Sequence, residues 1–188
     1  VCSSDLEVAN YCELVGADVD MIRKGIGTDL RIGKKFLYPG IGFGGSCFPK
    51  DILALLNSGS EVGFDFKIIN SILEVNRKQK LRLIEKVKLY FGEDLTGLKF
   101  GLWGLSFKAD TDDIREAASL YMIDELLNLG ASVTAFDPEA MNNAKEIYDH
   151  KIQFASNQYE AIENADALLI ATEWSVFRNP DFNKMDKL

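Results

Sequence analysis

The segment Lys99-Phe100-Gly101-Leu102-Trp103-Gly104-Leu105 is the first of four short apolar segments in the second half of the chain. Its pattern predicts a strand that runs into a turn. Predicted helices alternate with the further predicted strands in this order: helix 117–129, strand 132–136, helix 140–147, strand 152–154, helix 159–164 and strand 167–171. This alternation predicts a parallel sheet with right-handed crossovers, which is a small doubly wound α/β domain.

The first half of the chain is predicted to be helical. Apolar residues at helical spacing begin after Glu7, and Gly16 is expected to end that helix. A second short helix is expected to begin after a cap at Asp18 and to end around Gly25 and Gly27.

The longest helical candidate covers residues 64–91. One helix of about 28 residues would be about 42 Å long, which suits a spine between domains or a dimer-forming element. We place the domain boundary after it, so that residues 1–93 form an all-helical domain and residues 94–188 form the α/β domain. The basic cluster at residues 77–80 is flanked by acidic residues, and we interpret it as a solvated helix face.

Composition limits the function further. A net charge of -8 argues against nucleic-acid binding, which normally shows as a basic face. No apolar run approaches the roughly 20 residues of a membrane span. Three cysteines and one histidine, His150, do not supply a disulfide framework or the ligands of a structural zinc site, so we expect no metal and a cytoplasmic location. A Cys-His hydrolase is disfavoured because His150 would be its only available base.

A glycine-rich segment with a cysteine is the strongest candidate for a site. It reads Tyr38-Pro39-Gly40-Ile41-Gly42-Phe43-Gly44-Gly45-Ser46-Cys47-Phe48-Pro49-Lys50-Asp51 and leads into a helix that we expect to stop near Gly59. Cys47 would lie just before the start of that helix, where the dipole and the free amides favour a nucleophilic thiolate. Lys50 adds a cation, and Asp51 places a carboxylate one turn from the sulfur. A glycine-rich surface turn with a buried structural cysteine is the alternative, and we favour the functional interpretation.

The loop after the first predicted strand, residues 106–116, lies where an open α/β sheet binds ligands. Gly101 and Gly104 do not form a dinucleotide fingerprint, and Asp137 lies 36 residues past Gly101, against about 20 for a ribose-binding acid. The loop offers Lys108 and Arg115 to a phosphate. Both cations could instead pair with the loop's own acids, Asp110, Asp112, Asp113 and Glu116, and the residues alone leave this open. Arg31, likewise, is either a surface charge or an anion ligand.

Two long motifs carry a family resemblance. Pro39-Gly-Ile-Gly-Phe-Gly-Gly-Ser-Cys-Phe-Pro-Lys-Asp51 resembles the active-site loop of the UDP-glucose 6-dehydrogenase family, within the UDP-glucose/GDP-mannose dehydrogenases. Gly104-Leu-Ser-Phe-Lys-Ala-Asp-Thr-Asp-Asp-Ile-Arg-Glu116 resembles that family's second signature. The resemblance implies a central helical dimerisation domain followed by a Rossmann-like UDP-binding domain. It also implies that the N-terminal NAD-binding domain, with a catalytic lysine and asparagine upstream, lies outside this chain, which would then be inactive by itself.

The resemblance further implies roles for particular residues. Cys47 and Asp51 would be catalytic, and Lys50 and Arg115 would approach NAD. The implied substrate-binding residues are Arg31, Tyr38, Pro39, Gly40, Ile41, Gly42, Phe43, Gly44, Phe107 and Lys108. Among these, Arg31 would reach the substrate site of the partner subunit in a homodimer.

The implied reaction is the oxidation of UDP-glucose to UDP-glucuronate by two NAD+, through a thiohemiacetal and a thioester on Cys47. Ser46 stands where N-acetylmannosamine-uronate enzymes tend to have histidine, which favours UDP-glucose. A GDP-mannose or other nucleotide-sugar dehydrogenase is one alternative, and a non-catalytic nucleotide-sugar-binding or dimerisation module is another.

Overall fold

The computed structural model describes residues 3–188, so Cys2 lies outside it. These residues form two compact units: a helical unit of residues 3–42 and 52–79, and an α/β unit of residues 43–51 and 80–188. The chain therefore contributes the segment around Cys47 to the α/β unit. The predicted domain boundary at residues 93 and 94 stays a prediction.

The helical unit contains α1 (Ser4–Val15), α2 (Val19–Ile26), most of α3 (Cys47–Glu61) and most of α4 (Lys67–Lys80). Two of the predicted helix signals are confirmed. Gly16 ends α1 in the left-handed conformation, with its N–H donated to the carbonyl of Cys12. The Asp18 side chain accepts hydrogen bonds from the amides of Asp20 and Met21 and so caps α2.

Helix α3 ends at Glu61, close to the expected stop near Gly59, and a side chain at Gly59 would lie 2.6 Å from the ring of Phe66. One expectation about helix ends is wrong. The predicted helix 64–91 is two helices, α4 and α5 (Arg82–Phe91), because the backbone at Leu81 leaves helical geometry with φ -101° and ψ 1°.

The interpretation of residues 77–80 as a solvated face is wrong for two of the four residues. Lys78 is exposed, but Gln79 and Lys80 are buried. Gln79 accepts a hydrogen bond from the amide of Asn10 and donates one to the carbonyl of Gly40, over 2.8 and 2.7 Å respectively, so it joins separate parts of the helical unit.

The α/β unit confirms the predicted fold class. After α5 its elements follow in this order: β1 (Lys99–Trp103), α6 (Ala118–Asn128), β2 (Ser132–Phe136), α7 (Met141–Tyr148), β3 (Gln153–Phe154), a 3-10 turn (Glu160–Ile162), β4 (Ala167–Ile170), α8 (Ser175–Arg178) and α9 (Phe182–Met185). The four strands are parallel in the order β3-β2-β1-β4. The order reverses at β1, so the carboxyl ends of β1 and β4 border the crevice where such sheets bind ligands.

Strand β1 is buried on both faces of the sheet, since the consecutive residues Phe100 to Trp103 are all buried. Leu102 pairs with Ala135 on one side and with Leu169 on the other, which places β1 at the centre. Trp103 stacks on Phe177 at 5.1 Å between ring centroids. None of the helices within residues 3–188 is both long and apolar enough to cross a membrane.

Candidate active site

The loop that follows β1 is fixed to the sheet by one buried carboxylate. Asp137, at the end of β2, is only 1% exposed. Its two oxygens accept hydrogen bonds from Leu105 N, Ser106 N, Ser106 Oγ, Trp174 Nε1, Glu139 N and Ala140 N. The spacing of Asp137 from Gly101 does not fit a ribose ligand, and the sequence indicates no other role for this residue. Its anchoring role rests on contacts across more than 30 residues of sequence, which no local signal reveals.

Three further contacts hold the same loop in place. Gly104 has φ +95°, and a side chain there would lie 2.4 Å from Cβ of Thr172 after β4. The Thr172 hydroxyl donates to the carbonyl of Ser106 over 2.6 Å. Phe107 N donates to the carbonyl of Asp113, which closes the loop on itself. The segment of Phe107 and Lys108 is thus held at the carboxyl ends of β1 and β4.

The two cations of the loop differ in their surroundings. Arg115 forms a bidentate pair with Asp113, with Nε–Oδ1 and Nη2–Oδ2 distances of 2.9 and 2.8 Å. This pair lowers the pKa of Asp113 and raises that of Arg115. Lys108 is exposed, its ammonium lies 5.3 Å from the centroid of the Phe107 ring, and no carboxylate within residues 3–188 pairs with it. Pairing with the loop's acids is therefore observed for Arg115 and not for Lys108.

The cysteine segment rests on this loop through two glycines. Gly45 N donates to the carbonyl of Arg115 over 2.7 Å. Gly45 has φ +84°, and a side chain there would lie 2.9 Å from the ring of Phe107. A side chain at Gly44 would lie 2.4 Å from the carbonyl oxygen of Glu116. Only glycine permits so close an approach of two backbones.

Cys47 is the first residue of α3, and it is exposed. The alternative of a buried structural cysteine is therefore wrong for Cys47. The expectation that Cys47 lies just before the start of the helix is wrong by one residue, since α3 begins at Cys47.

Asp51 lies four residues after Cys47, so both side chains project from the same face of α3. Its carboxylate pairs with Lys50 at 3.3 Å, and both side chains are mostly exposed. A carboxylate this exposed can exchange protons with water and stands one helical turn from the thiol.

The other predicted site residues belong to the helical unit. Arg31 is 89% exposed and pairs with Asp29 at 2.6 Å. The ring of Tyr38 lies 4.2 Å from the Arg23 guanidinium carbon. Pro39, Gly40, Ile41 and Gly42 follow as irregular backbone. Substrate contacts by these residues stay predictions. Within residues 3–188, no three His, Cys, Asp or Glu side chains are grouped to hold a metal ion.

The packing of Gly44 leads to a first prediction. Gly44→Ala places a methyl group against the Glu116 carbonyl, and such overpacking costs about 1–3 kcal/mol. We expect faster deuterium uptake in a peptide covering residues 43–51, by a factor of about ten for each 1.4 kcal/mol of lost stability. Gly25→Ala is the control, because a side chain there meets nothing within 4 Å. Equal uptake in the two variants would contradict the packing described.

The α/β unit is thus a Rossmann-like domain in which the crevice loop, residues 106–116, supports a separate segment with an exposed thiol at a helix start. Two family models match the chain: the central domain of the UDP-glucose/GDP-mannose dehydrogenase family over residues 3–78, and the UDP binding domain of the same family over residues 101–188.

Individual relatives agree with these matches. UDP-glucose 6-dehydrogenase TuaD of Bacillus subtilis (strain 168) is 42% identical over 182 residues, which are 97% of this chain and 39% of that protein. UDP-glucose 6-dehydrogenase of Pseudomonas aeruginosa is 42% identical over 184 residues, 95% of this chain and 41% of that protein. A UDP-glucose dehydrogenase structure from Pyrobaculum islandicum superposes with a TM-score of 0.91 at 31% identity, covering 96% of this chain and 42% of that one.

The chain belongs to the UDP-glucose/GDP-mannose dehydrogenase family. It spans about two fifths of the length of the relatives it matches. The resemblance of the two motifs is therefore confirmed at the level of the family.

Proposed function

We propose that the protein containing this chain oxidises UDP-glucose to UDP-glucuronate, with Cys47 as its nucleophile. The observation that carries the proposal is the placement of Cys47: an exposed thiol starts α3 while Gly45 fixes the preceding turn to Arg115 in the crevice loop. The similar proteins of Bacillus subtilis and Pseudomonas aeruginosa, both named UDP-glucose 6-dehydrogenase, support this substrate and reaction.

A thiol is suited to the second half of this oxidation. Loss of a hydride and a proton from the sugar alcohol gives an aldehyde, which is a poor hydride donor. The Cys47 thiolate adds to the aldehyde carbon, and the oxygen takes a proton to give a thiohemiacetal. Loss of a second hydride and the hydroxyl proton leaves a thioester on Cys47. Water then attacks the carbonyl carbon, the C–S bond breaks, and the carboxylate leaves with the thiol restored.

Asp51 is proposed to handle the protons of these steps. It lies on the same face of α3 as Cys47, one turn away, where its carboxylate can accept a proton from the attacking water. Lys50, which pairs with Asp51, keeps a positive charge beside that carboxylate.

Phe107 and Lys108 are proposed to bind the nucleotide part of the substrate, together with Phe43 and Gly44. Lys108 has no ion-pair partner within residues 3–188, so its ammonium can bind a diphosphate without breaking an existing pair. Phe107 presents its ring at the carboxyl ends of β1 and β4. Arg31 and residues 38–42 complete the proposed substrate contacts, as the family resemblance implies.

Arg115 and Lys50 are the residues proposed to approach NAD. The guanidinium of Arg115 has five N–H donors, of which Asp113 takes two through Nε and Nη2, so Nη1 remains for a phosphate oxygen. The donor set therefore fits an anionic cofactor, and NAD+ when bound would supply the hydride acceptor.

We also propose a cytoplasmic homodimer formed through the helical unit. Large apolar side chains on α1 and α4 are exposed, among them Leu14, Val15 and Ile68. Exposed large apolar side chains on two helices favour a subunit interface there.

Titration calorimetry on the full-length protein tests the binding proposal. Lys108→Ala removes the one loop cation without a carboxylate partner among the described residues, and we expect affinity for UDP-glucose to fall about tenfold or more, since hydrogen bonds to charged groups contribute about 1.5–3 kcal/mol. Lys145→Ala is the matched control, because Lys145 also lies over an aromatic ring, Phe154, at 5.6 Å and elsewhere in the α/β unit.

Equal affinity of Lys108→Ala and Lys145→Ala would contradict the assigned nucleotide site. GDP-mannose in the same titration separates the two substrate classes. A GDP-mannose dehydrogenase structure from Pseudomonas aeruginosa is a more distant likeness, with a TM-score of 0.67 and 26% identity over 95% of this chain and 43% of that one. Tighter binding of GDP-mannose than of UDP-glucose would favour that alternative.

A further inference from the structure

Lys80 is an almost fully buried charged residue in the α/β unit. Its side chain is 4% exposed, and its ammonium lies 2.8 Å from Oε2 of Glu116. The same ammonium lies 4.2 Å from the centroid of the Tyr121 ring. The Tyr121 hydroxyl donates to the same Glu116 oxygen over 2.6 Å. Lys80, Glu116 and Tyr121 thus form one closed set of contacts, which we term the Glu116 cluster.

The hydrogen bonds of the Glu116 cluster favour the ionised form of Glu116 and the protonated form of Tyr121. The hydrogen bond from Lys80, followed by that from Tyr121, lowers the pKa of Glu116. Burial, followed by the hydrogen bond to Glu116, raises the pKa of Tyr121 to about 12. Glu116 is therefore ionised and Tyr121 is protonated near neutral pH, which is the state in which all three contacts form.

The Glu116 cluster holds a strained piece of backbone. Glu116 has φ +55°, a left-handed conformation that a residue with a long side chain rarely adopts without support. The two contacts to its carboxylate supply that support. Its main-chain carbonyl is the group against which Gly44 packs, and the carbonyl of Arg115 receives the hydrogen bond from Gly45.

A purely stabilising ion pair explains these contacts less well. A buried pair of charges is, on average, no more stabilising than well-packed apolar residues of the same size, because removing both charges from water is costly. A cluster that fixes the backbone of residues 115 and 116 also fixes the turn that leads to Cys47, because that turn contacts the carbonyls of these two residues.

We propose that Lys80, Glu116 and Tyr121 are positioning residues that set the placement of Cys47 for addition to the aldehyde. The contacts pass from the Lys80 ammonium to the Glu116 carboxylate. They continue from the carbonyls of Glu116 and Arg115 to Gly44 and Gly45 respectively, and Cys47 follows two residues later. This inference rests on the proposed function for its chemistry. Its geometry is independent of the substrate.

The test uses the full-length protein with Lys80→Met, which keeps the length of the side chain and removes its charge. Lys80→Arg restores the charge. Lys88→Met is the matched control, because Lys88 also pairs with acids in the α/β unit, Glu93 and Glu125 at 3.3 and 3.2 Å, without contacting the Glu116 cluster. The first readout is the rate at which iodoacetamide alkylates the peptide containing Cys47, followed by mass spectrometry at fixed pH.

We expect Lys80→Met to change the alkylation rate at least fivefold, because the turn that leads to Cys47 then loses its support on the carbonyls of Arg115 and Glu116. In Lys80→Arg and Lys88→Met, the alkylation rate of Cys47 should stay within twofold of the rate in the parent protein. A change of less than fivefold in Lys80→Met, or an equal change in Lys88→Met, overturns the proposal. If Lys80→Met does not fold, Tyr121→Phe replaces it, since it keeps the ring over Lys80 and loses only the bond to Glu116; a change of less than twofold in that variant also overturns the proposal.

The second readout separates positioning from a general loss of folded protein. Misplaced Cys47 lets aldehyde escape, so the ratio of NADH to uronate should rise above two in Lys80→Met, whereas partial unfolding lowers both products together. An unchanged ratio overturns the positioning role. If the parent protein makes no uronate, the proposed function fails, but the alkylation rates still decide whether the Glu116 cluster positions Cys47.

Discussion

Cys47→Ser in the full-length protein is expected to abolish the formation of UDP-glucuronate. A serine hydroxyl at the start of α3 is a far weaker nucleophile than a thiolate, so the second oxidation loses its covalent intermediate. We expect turnover to uronate to fall by about 10³-fold or more, which corresponds to roughly 4 kcal/mol of transition-state stabilisation. The first hydride transfer does not need the thiol, so about one NADH per bound sugar should still form. Rapid-quench analysis of NADH and uronate in a single turnover measures both steps.

Cys12→Ala is the control for this variant. Cys12 is the other free cysteine among the described residues, it is buried in α1, and its thiol has no part in the proposed reaction. If Cys47→Ser forms uronate at close to the parental rate, Cys47 is not the nucleophile. If Cys12→Ala also forms uronate at the parental rate, Cys12 is not the nucleophile in its place.

The fold of the α/β unit was predictable because its signals are local. Short apolar segments between predicted helices predicted the strands, and β2 has the predicted limits, 132–136. Alternation with helices predicted the parallel sheet, since parallel strands need a crossover connection. Cys47 and the crevice loop were identified in the same way, because a glycine-rich turn, a nucleophile and a helix start are adjacent in sequence.

The parts that escaped prediction depend on contacts between distant residues. Residues 64–91 have an apolar face at helical spacing, but the helix breaks at Leu81, next to Lys80, whose side chain is tied to Glu116 across 36 positions of sequence. Periodicity predicts which residues face a core, but it does not predict contacts with residues far away in the sequence. The burial of Lys80 depends on such a contact, with Glu116, so the sequence pattern alone predicts a solvated lysine there.

Asp137 is the clearest case in which an ordinary sequence rule points away from a residue's role. The spacing rule for a ribose-binding acid rejects it, and it then has no remaining local signal. In the structure, its carboxylate joins the loop after β1, the start of α7 and Trp174 after β4. The carboxyl ends of three strands are thus held together by one side chain, on the same edge of the sheet as Lys108.

Asp137→Ala is expected to have the largest effect on stability. The change removes the acceptor of Leu105 N, Ser106 N and the other donors described above, and it leaves them in a place that is closed to water. Each buried donor without a partner costs about 1–3 kcal/mol, so the free energy of unfolding of the α/β unit should fall by at least about 3 kcal/mol. Urea unfolding followed by Trp103 and Trp174 fluorescence measures this loss.

Asp181→Ala is the control that tests whether Asp137→Ala lowers the free energy of unfolding because the Asp137 carboxylate is buried. Asp181 caps α9 by accepting a hydrogen bond from the amide of Lys184 over 3.2 Å, and it is exposed. Loss of such a cap costs about 1 kcal/mol, because water can replace the carboxylate. The loss of unfolding free energy in Asp137→Asn should lie between the losses in Asp137→Ala and Asp181→Ala. The amide keeps one acceptor oxygen, but it turns an NH₂ group toward other donors. Equal destabilisation by Asp137→Ala and Asp181→Ala would mean that the crevice loop does not depend on the buried carboxylate.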